Sequence, residues 1–159
     1  MRIATWSIYL LLMTFLAYGC VKKDDPNAAK SNANWVFAGQ NYSSLTNSSD
    51  GINVHFTNGS TQGVWARFNV LPNGSITTYK IINGPASTLE NDEMVLQVDN
   101  GTNESLYSTG EGNKQSTVSK DYFGDITVTV PLVTVKHFSN GVMQNDSTTA
   151  SAVLFYRKP

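Results

Sequence analysis

The stretch ITVTVPLVTV, residues 126–135, decides the fold of this chain. Apolar and polar side chains alternate over residues 126–130, and a period of two is typical of a β-strand with one buried face. The following residues, 132–138, form a less regular strand candidate. Because proline cannot donate a backbone hydrogen bond to a neighbouring strand, Pro131 predicts an edge strand or a β-bulge between two strand segments.

Similar strand candidates extend over most of the chain outside this stretch, and no window carries the apolar stripe of a helix. Asn-Gly pairs occur between many of them, and this dipeptide favours tight hairpin turns. We therefore expect a mainly β fold, an antiparallel β-sandwich or flattened barrel of about eight to ten short strands, with a lipocalin-like barrel as the alternative. The candidates are residues 35–42, 52–56, 64–70, 76–82, 94–98, 106–109, 115–120, 126–130, 132–138 and 150–157.

One hairpin can be predicted residue by residue. If Asn73-Gly74 forms a two-residue turn, Trp65 lies opposite Ile82 and Arg67 opposite Lys80 on the outer face. Because like charges directly opposite each other are unfavourable, either an acidic group lies between Arg67 and Lys80 or a β-bulge shifts the register. The predicted core face of the hairpin carries Val64, Ala66, Phe68, Val70, Tyr79 and Ile81.

The aromatic residues are the feature of the sequence that best suits ligand binding. Sugars stack on aromatic faces while polar groups at the rim form hydrogen bonds. On the predicted outer face, Trp65, Arg67 and Lys80 form the candidate ligand-binding site, with a glycan as the expected ligand. The alternative is that both faces of the sheet are covered and that Trp65 belongs to the core, and the usual burial of large aromatic side chains favours this alternative.

The amino-terminal segment has the features of an export signal. Arg2 is followed by an uncharged run over residues 3–18, whose apolar centre is shorter than the roughly 20 residues that a membrane-spanning helix needs. The run ends at Gly19-Cys20, which resembles the lipobox of bacterial lipoproteins, although Ala17 and Tyr18 depart from its usual pattern. An uncleaved membrane anchor is the alternative.

This resemblance to Gram-negative lipoprotein precursors implies a signal peptide at residues 1–19 and a lipid attached to Cys20. Residues 20–33 would be a flexible linker with a reach of roughly 20 Å, and residues 34–159 an all-β domain. Because no Asp follows Cys20 directly, the resemblance implies the outer membrane. The tetrad at residues 22–25, Lys-Lys-Asp-Asp, is similar to a surface-export tag and favours the cell surface over the periplasmic face.

The mature part also resembles small β-domains that are common among surface lipoproteins, through Trp35-x-Phe37-x-Gly39-x-x-Tyr42. That resemblance implies a location and a fold type but no activity. The net charge of −1 lacks the basic surplus of nucleic-acid binders. A single cysteine excludes an intramolecular disulfide and thiolate zinc sites.

Catalytic and metal-binding groupings do not stand out from the rest of the sequence. The two histidines, His55 and His137, are far apart, and no Gly-x-Ser-x-Gly motif occurs. Residues 99–104 contain oxygen ligands without the spacing of an EF-hand, so we expect a hairpin turn there and no metal. Carboxylates at Glu90, Asp92 and Glu93 leave a small acid-pair hydrolase as an alternative.

Taken together, the sequence predicts a non-catalytic binding or accessory domain that a lipid tethers to the membrane, with no cofactor. The expected partners are the membrane itself, through the lipid, and an extracellular glycan or an envelope protein. A purely structural envelope component, recognisable by an exposed apolar patch or edge strand, is the further alternative.

Overall fold

The computed structural model describes residues 31–58, 62–101 and 104–157, and it confirms the expected fold class. These residues form one sheet of eleven strands, with a short 3₁₀ helix at Glu111–Asn113. The proposed signal peptide, Cys20 and residues 21–30 lie outside the described ranges. The strands are β1 (Asn32–Phe37), β2 (Gln40–Ser44), β3 (Thr46–Ser49), β4 (Asn53–Thr57), β5 (Gln62–Phe68), β6 (Thr78–Ile81), β7 (Glu93–Asn100), β8 (Ser105–Ser108), β9 (Gln115–Lys120), β10 (Ile126–Ser139) and β11 (Val142–Tyr156).

The sheet curves back on itself as a flattened barrel. Its strand order is β2-β1-β11-β10-β9-β6-β7-β5-β4-β3, and β8 additionally bridges β10 and β7. The two terminal strands of this order, β2 and β3, are consecutive in the chain and separated only by Leu45, so the ends of the sheet meet there. The Ser44 hydroxyl donates a hydrogen bond to the Thr57 carbonyl at this junction. In the described part of the chain, no helix has the length and apolarity needed to cross a membrane.

The core fills the inside of this sheet and follows directly from the period of two. In β10, Val128, Val130, Val133 and Val135 are buried, whereas the residues between them are more exposed. Trp35 is buried as well and stacks on Tyr42 of the neighbouring strand. Each fully buried side chain of this size contributes about 1.5–3 kcal/mol to folding. The largest fully buried side chains are Phe56, Phe68, Ile81, Met94, Leu96, Ile126 and Leu154.

β10 and β11 form a long hairpin at the centre of the fold. Its turn is Asn140-Gly141, where both residues have positive φ, 53° and 79°, as a tight hairpin turn requires. The predicted interruption at Pro131 is confirmed, because the register of the two strands shifts between Val130 and Val133. Pro131 therefore sits in a β-bulge within one continuous strand, where its missing donor costs no ladder hydrogen bond.

The predicted hairpin at Asn73-Gly74 is wrong. β5 pairs with β4 on one side and with β7 on the other, so it has no free edge for β6. Instead, β6 pairs antiparallel with β9 and parallel with β7, which makes the sheet mixed. Five of the six predicted core residues are nevertheless buried, since the period of two fixes the buried face in any pairing; Val70 lies in the loop and is 60% exposed.

Two further expectations about the strands need correction. Residues 35–42 are two strands, because Ala38 and Gly39 adopt positive φ and turn the chain back on itself. β3 lies outside the predicted candidates, because its sequence Thr-Asn-Ser-Ser is polar and exposed throughout and has no alternation to detect. The sequence therefore predicted most of the interior strands, but it missed the polar strand β3 and residues 142–149 of β11.

Candidate functional site

Trp65 lies on the outer face of β5, half-buried, and its polar and apolar parts are both engaged. The indole ring stacks on the imidazole of His55 in β4, with ring centroids 3.5 Å apart. Its Nε1–H donates a hydrogen bond of 2.8 Å to Asp99 Oδ2 in β7. Trp65 is therefore outside the core, which overturns the favoured expectation that it belongs to a second core, and one face and the Nε1–H of its indole are already engaged.

Asp99 is the acceptor around which this cluster is built. Its Oδ1 accepts hydrogen bonds from Gln97 Nε2 at 3.0 Å and from the Ser105 hydroxyl at 2.7 Å. Burial lowers the pKa of His55 below its ordinary value, although the negative charge of Asp99 partly opposes this. His55 is consequently held as a neutral ring that packs on Trp65. We call His55, Trp65, Gln97 and Asp99 the tryptophan cluster.

Arg67 and Lys80 are not brought together with Trp65 into one site. Arg67 lies opposite Asn53 and Val95, and its Nη1 donates to the Ala86 carbonyl at 2.9 Å. This bond holds the connection between β6 and β7 over the outer face of the sheet. The predicted pairing of Arg67 with Lys80 is therefore wrong.

Lys80 lies on the far side of β7 from Arg67. It pairs in register with Glu93, and its Nζ lies 3.9 Å from Glu93 Oε1. The sequence-based prediction placed Arg67 and Lys80 together because it assumed a β5–β6 hairpin. The actual site must therefore be sought elsewhere on the surface.

An open groove of about 620 Å³ lies between the far ends of two hairpins, β7–β8 and β10–β11. Strands β8 and β10 pair antiparallel there, with Tyr107 opposite Lys136 and Leu106 opposite His137. The groove lies outside the barrel, so a ligand can reach it without disturbing the core. Its lining residues are Glu104, Ser105, Tyr107, His137, Phe138, Ser139, Gln144 and Asp146, and we call it the hairpin groove.

A carboxylate flanks the imidazole of His137 on each side. The Nδ1–H group donates to Asp146 Oδ2, since an ionised carboxylate can only accept a hydrogen bond. Nε2 is buried and lies 3.4 Å from Glu104 Oε2, within ion-pair distance but without hydrogen-bond alignment. The ring is thereby fixed in orientation, and Nε2 is directed at a second acidic group.

A β-bulge explains how Asp146 reaches His137. The register of β10 and β11 shifts between Lys136, which lies opposite Ser147, and Phe138, which lies opposite Met143. One residue of β10 therefore faces three residues of β11, and the extra chain turns Asp146 toward the imidazole. Bulges commonly re-aim side chains in this way beside functional sites.

Two aromatic rings supply the apolar part of the hairpin groove. Tyr107 and Phe138 meet edge to face, with centroids 6.1 Å apart. The Tyr107 side chain packs closely over Gly84, where an added Cβ would lie 2.9 Å from the ring, so its position is fixed from below. At the rim, Gln144 Nε2 donates to the carbonyls of Ser139 and Val142, which holds that side chain along the hairpin turn.

The tryptophan cluster and the hairpin groove belong to one row of residues across the outer face. Neighbouring strands place their members directly opposite one another. Ser105, which donates to Asp99, also lines the groove. The network around Trp65 therefore supports the groove from one side. The row consists of His55, Trp65, Gln97, Tyr107 and Lys136.

Several polar groups of the hairpin groove are engaged with one another. The hydroxyl of Ser105, one of its two serines, donates to Asp99, and the imidazole stands between the carboxylates of Glu104 and Asp146. Within the described ranges, no group of three or more His, Cys, Asp or Glu side chains could hold a metal ion. The groove presents acceptors, an amide and two aromatic rings to a ligand.

The other acidic group that the sequence singled out has a local structural role. Glu93 Oε2 accepts a hydrogen bond from the Glu90 backbone N–H, and Glu93 also pairs with Lys80. Strands β7 and β8 are consecutive in the chain and pair antiparallel, with Asp99 opposite Ser105, which confirms the expected hairpin. Sequence reasoning missed His137 and Asp146 because each lies on an ordinary strand, and only the bulge brings them together.

Comparison with known proteins finds no relative for this chain. No protein-family model matches it, and no curated protein and no solved structure is significantly similar to it. The geometry of its own residues is thus the basis on which its function must be inferred.

Proposed function

We propose that this chain is a lipid-tethered outer-membrane protein whose β-domain binds a glycan in the hairpin groove, without catalysing a reaction. The tether is Cys20, and the domain faces the cell surface. The observation that supports binding is the combination of two fixed aromatic rings with hydrogen-bonding side chains along one open groove. Carbohydrate sites need this combination, because sugar rings have apolar faces and hydroxyl edges.

The position of the groove suits a tethered receptor. β10 runs from Ile126, which lies opposite Tyr156, to Ser139 at the groove. Ser31, the first described residue, is bonded to Arg157 at the Ile126 end. A strand of this length spans roughly 40 Å at 3.3 Å per residue, so a lipid at Cys20 leaves the groove on the side away from the membrane.

The tether is tested by mass spectrometry of the protein purified from bacterial membranes. We expect a mature chain that begins at Cys20 and carries the mass of a diacylglycerol group and its fatty acids. A chain with a free thiol at Cys20, or one that begins well downstream, contradicts the tether. Surface orientation is tested on whole cells, where an externally added protease should degrade the domain.

Glycan binding is tested on an array with the purified protein, followed by titration of the best ligand. Tyr107→Ala should raise the Kd about tenfold, since removing a stacking ring costs on the order of 1 kcal/mol. The matched control is Tyr122→Ala, an exposed tyrosine far from the groove, which should leave the Kd unchanged. Equal effects of the two variants, or no binding to any glycan, contradict the proposal.

The acid-pair hydrolase is distinguished in the same titration. A hydrolase needs a general acid and a base with room for the scissile bond between them, whereas here the imidazole of His137 occupies the space between Glu104 and Asp146. We therefore expect the bound glycan to be recovered intact after prolonged incubation. Its conversion into shorter products would favour the hydrolase.

A further inference from the structure

An exposed aromatic tip occurs on the loop between β9 and β10. Tyr122 is 96% exposed and Phe123 is 58% exposed, and their rings meet edge to face with centroids 5.6 Å apart. Burying such rings gains more free energy than burying almost any other side chain, so their exposure side by side indicates a contact that the isolated chain does not make.

Hydrogen bonds within the loop hold the backbone that carries the two exposed rings. Asp121 Oδ1 accepts hydrogen bonds from the backbone N–H groups of Phe123 and Asp125, each 2.9 Å long. The Asp121 N–H donates to the Asp125 carbonyl and the Gly124 N–H to the Asp121 carbonyl, while Gly124 has a φ of 91°. These hydrogen bonds close the turn and engage Oδ1 of Asp121. The two aromatic rings are the large apolar side chains that the tip presents.

Contacts connect this loop to the place where the amino-terminal segment meets the domain. Asp125 Oδ1 lies 3.8 Å from Arg157 Nε, and the Arg157 backbone N–H donates to the Ser31 hydroxyl at 3.0 Å. Ser31 is the first described residue and belongs to the proposed linker, residues 20–33, so this linker meets the domain at the end that carries the aromatic tip. The reach of roughly 20 Å expected for such a linker keeps this end of the barrel near the lipid.

The surroundings of the tip also suit a membrane surface. Lys120 ends β9 next to the loop and is exposed. Val70, also exposed, precedes Leu71 and Pro72, which share a cavity of about 390 Å³ with Ser31 and Arg157 at the same end. Exposed aromatic residues beside a lysine are the side chains that proteins place at the membrane–water interface.

We infer that Tyr122 and Phe123 dock this end of the domain into the headgroup region of a phospholipid bilayer. The direction of approach rests on the proposed tether at Cys20, whereas the insertion of the rings is a property of the loop. Docking would supply a second membrane contact beside the lipid and would fix the orientation of the domain. The hairpin groove would then be held away from the bilayer.

The inference can be tested by fluorescence quenching with the full chain, exported, purified from membranes and reconstituted into vesicles of phosphatidylethanolamine and phosphatidylglycerol. Phe123→Trp places a reporter at the tip, and Val142→Trp places a matched reporter at the exposed turn of the β10–β11 hairpin, where Val142 is 62% exposed. Phosphatidylcholine carrying a nitroxide on its acyl chain serves as the quencher. Wild-type protein gives the background from its native tryptophans.

We expect the quencher to reduce the added fluorescence of Phe123→Trp several-fold more than that of Val142→Trp, which should stay near background. Equal quenching of the two variants overturns the inference and leaves a protein partner as the occupant of the tip. Vesicle flotation reports the lipid anchor separately. If the chain proves unlipidated, it is added to preformed vesicles, and preferential quenching at position 123 still supports docking while its absence overturns it.

Discussion

The two histidines of this chain both lie near acidic side chains, but their surroundings differ in packing and exposure. His55 in the tryptophan cluster packs face to face on Trp65, and the nearby Asp99 already accepts three hydrogen bonds. His137 in the hairpin groove is held edge-on between two acidic groups at an open surface. Nε2 of each ring is buried without a hydrogen-bond partner among the described residues, but His55 packs on an aromatic face whereas His137 lies between two exposed carboxylates.

The difference teaches that the exposure of the acidic partner groups distinguishes the two clusters better than residue type does. Asp99 accepts hydrogen bonds from Gln97 on its own strand and from Trp65 and Ser105 on the two neighbouring strands, so a ligand would have to displace these donors. The side chains of Glu104 and Asp146 are more than half exposed and line the groove. The account therefore predicts large effects on stability in the tryptophan cluster and small ones in the groove.

The largest effect is expected for Trp65→Ala. The change removes the stack on His55 and the hydrogen bond to Asp99, and we expect it to lower the free energy of unfolding by about 2–4 kcal/mol. Urea unfolding followed by circular dichroism measures this. Phe138→Ala is the matched control, because this ring is also part-buried on the outer face but lines the groove. A greater loss for Phe138→Ala than for Trp65→Ala would contradict the comparison.

Asp99→Ala is expected to have the next largest effect. It leaves the donors of Trp65, Gln97 and Ser105 without their acceptor, at a cost of about 1–3 kcal/mol in the free energy of unfolding. Asp99→Asn keeps one side-chain oxygen and should restore part of that stability. If Asp99→Ala unfolds at the same urea concentration as the unchanged protein, the carboxylate is not the centre of the cluster.

A much smaller effect is expected for Asp146→Ala in the hairpin groove. Ion pairs between exposed groups contribute less than about 1 kcal/mol, so the urea midpoint should hardly move. The imidazole should respond instead, because the acceptor that fixes the proton on Nδ1 is lost. Nitrogen NMR shifts of the His137 ring report this directly. An unchanged ring spectrum would show that Asp146 does not orient it.

The smallest expected effect is on the pH dependence of stability, and it concerns His55 in the tryptophan cluster. Since burial lowers the native pKa of His55, the unfolded chain binds a proton before the folded protein does as the pH falls below about 6.5. His55 therefore makes its full contribution to the free energy of unfolding above that pH. This contribution declines as the pH falls toward the lower pKa of the folded protein. His55→Phe keeps a ring on Trp65 and should flatten the pH dependence of the urea midpoint in this range. If the urea midpoint changes with pH equally in both proteins, His55 does not cause the pH dependence.

Much of the fold could be predicted from local sequence because burial imposes a period of two. β9 has the predicted bounds, Pro131 marks a bulge, and the Asn140-Gly141 turn closes the longest hairpin. The partner of each strand could not be predicted in the same way. Asn73-Gly74 has the composition of a hairpin turn, but β5 already uses both edges, and local sequence carries no information about that competition.

The candidate site was harder to predict for a related reason. Sequence reasoning favoured a core position for Trp65, whereas the ring lies on the outer face, and Arg67 and Lys80 lie on opposite sides of β7. His137 and Asp146 meet only because a bulge adds residues to β11, and no motif marks a bulge of this kind. Residues that act together across strands are determined by register, which is a property of the whole sheet.

The most direct test of the central claim maps where the ligand binds. The backbone amide spectrum of the isotope-labelled protein is recorded while the best array glycan is added. The account predicts shifts at residues 104–107 and 136–146, with little change at Val54, His55 or the aromatic tip of Tyr122 and Phe123. Shifts centred on Trp65 and Arg67, with the hairpin groove unaffected, would contradict it.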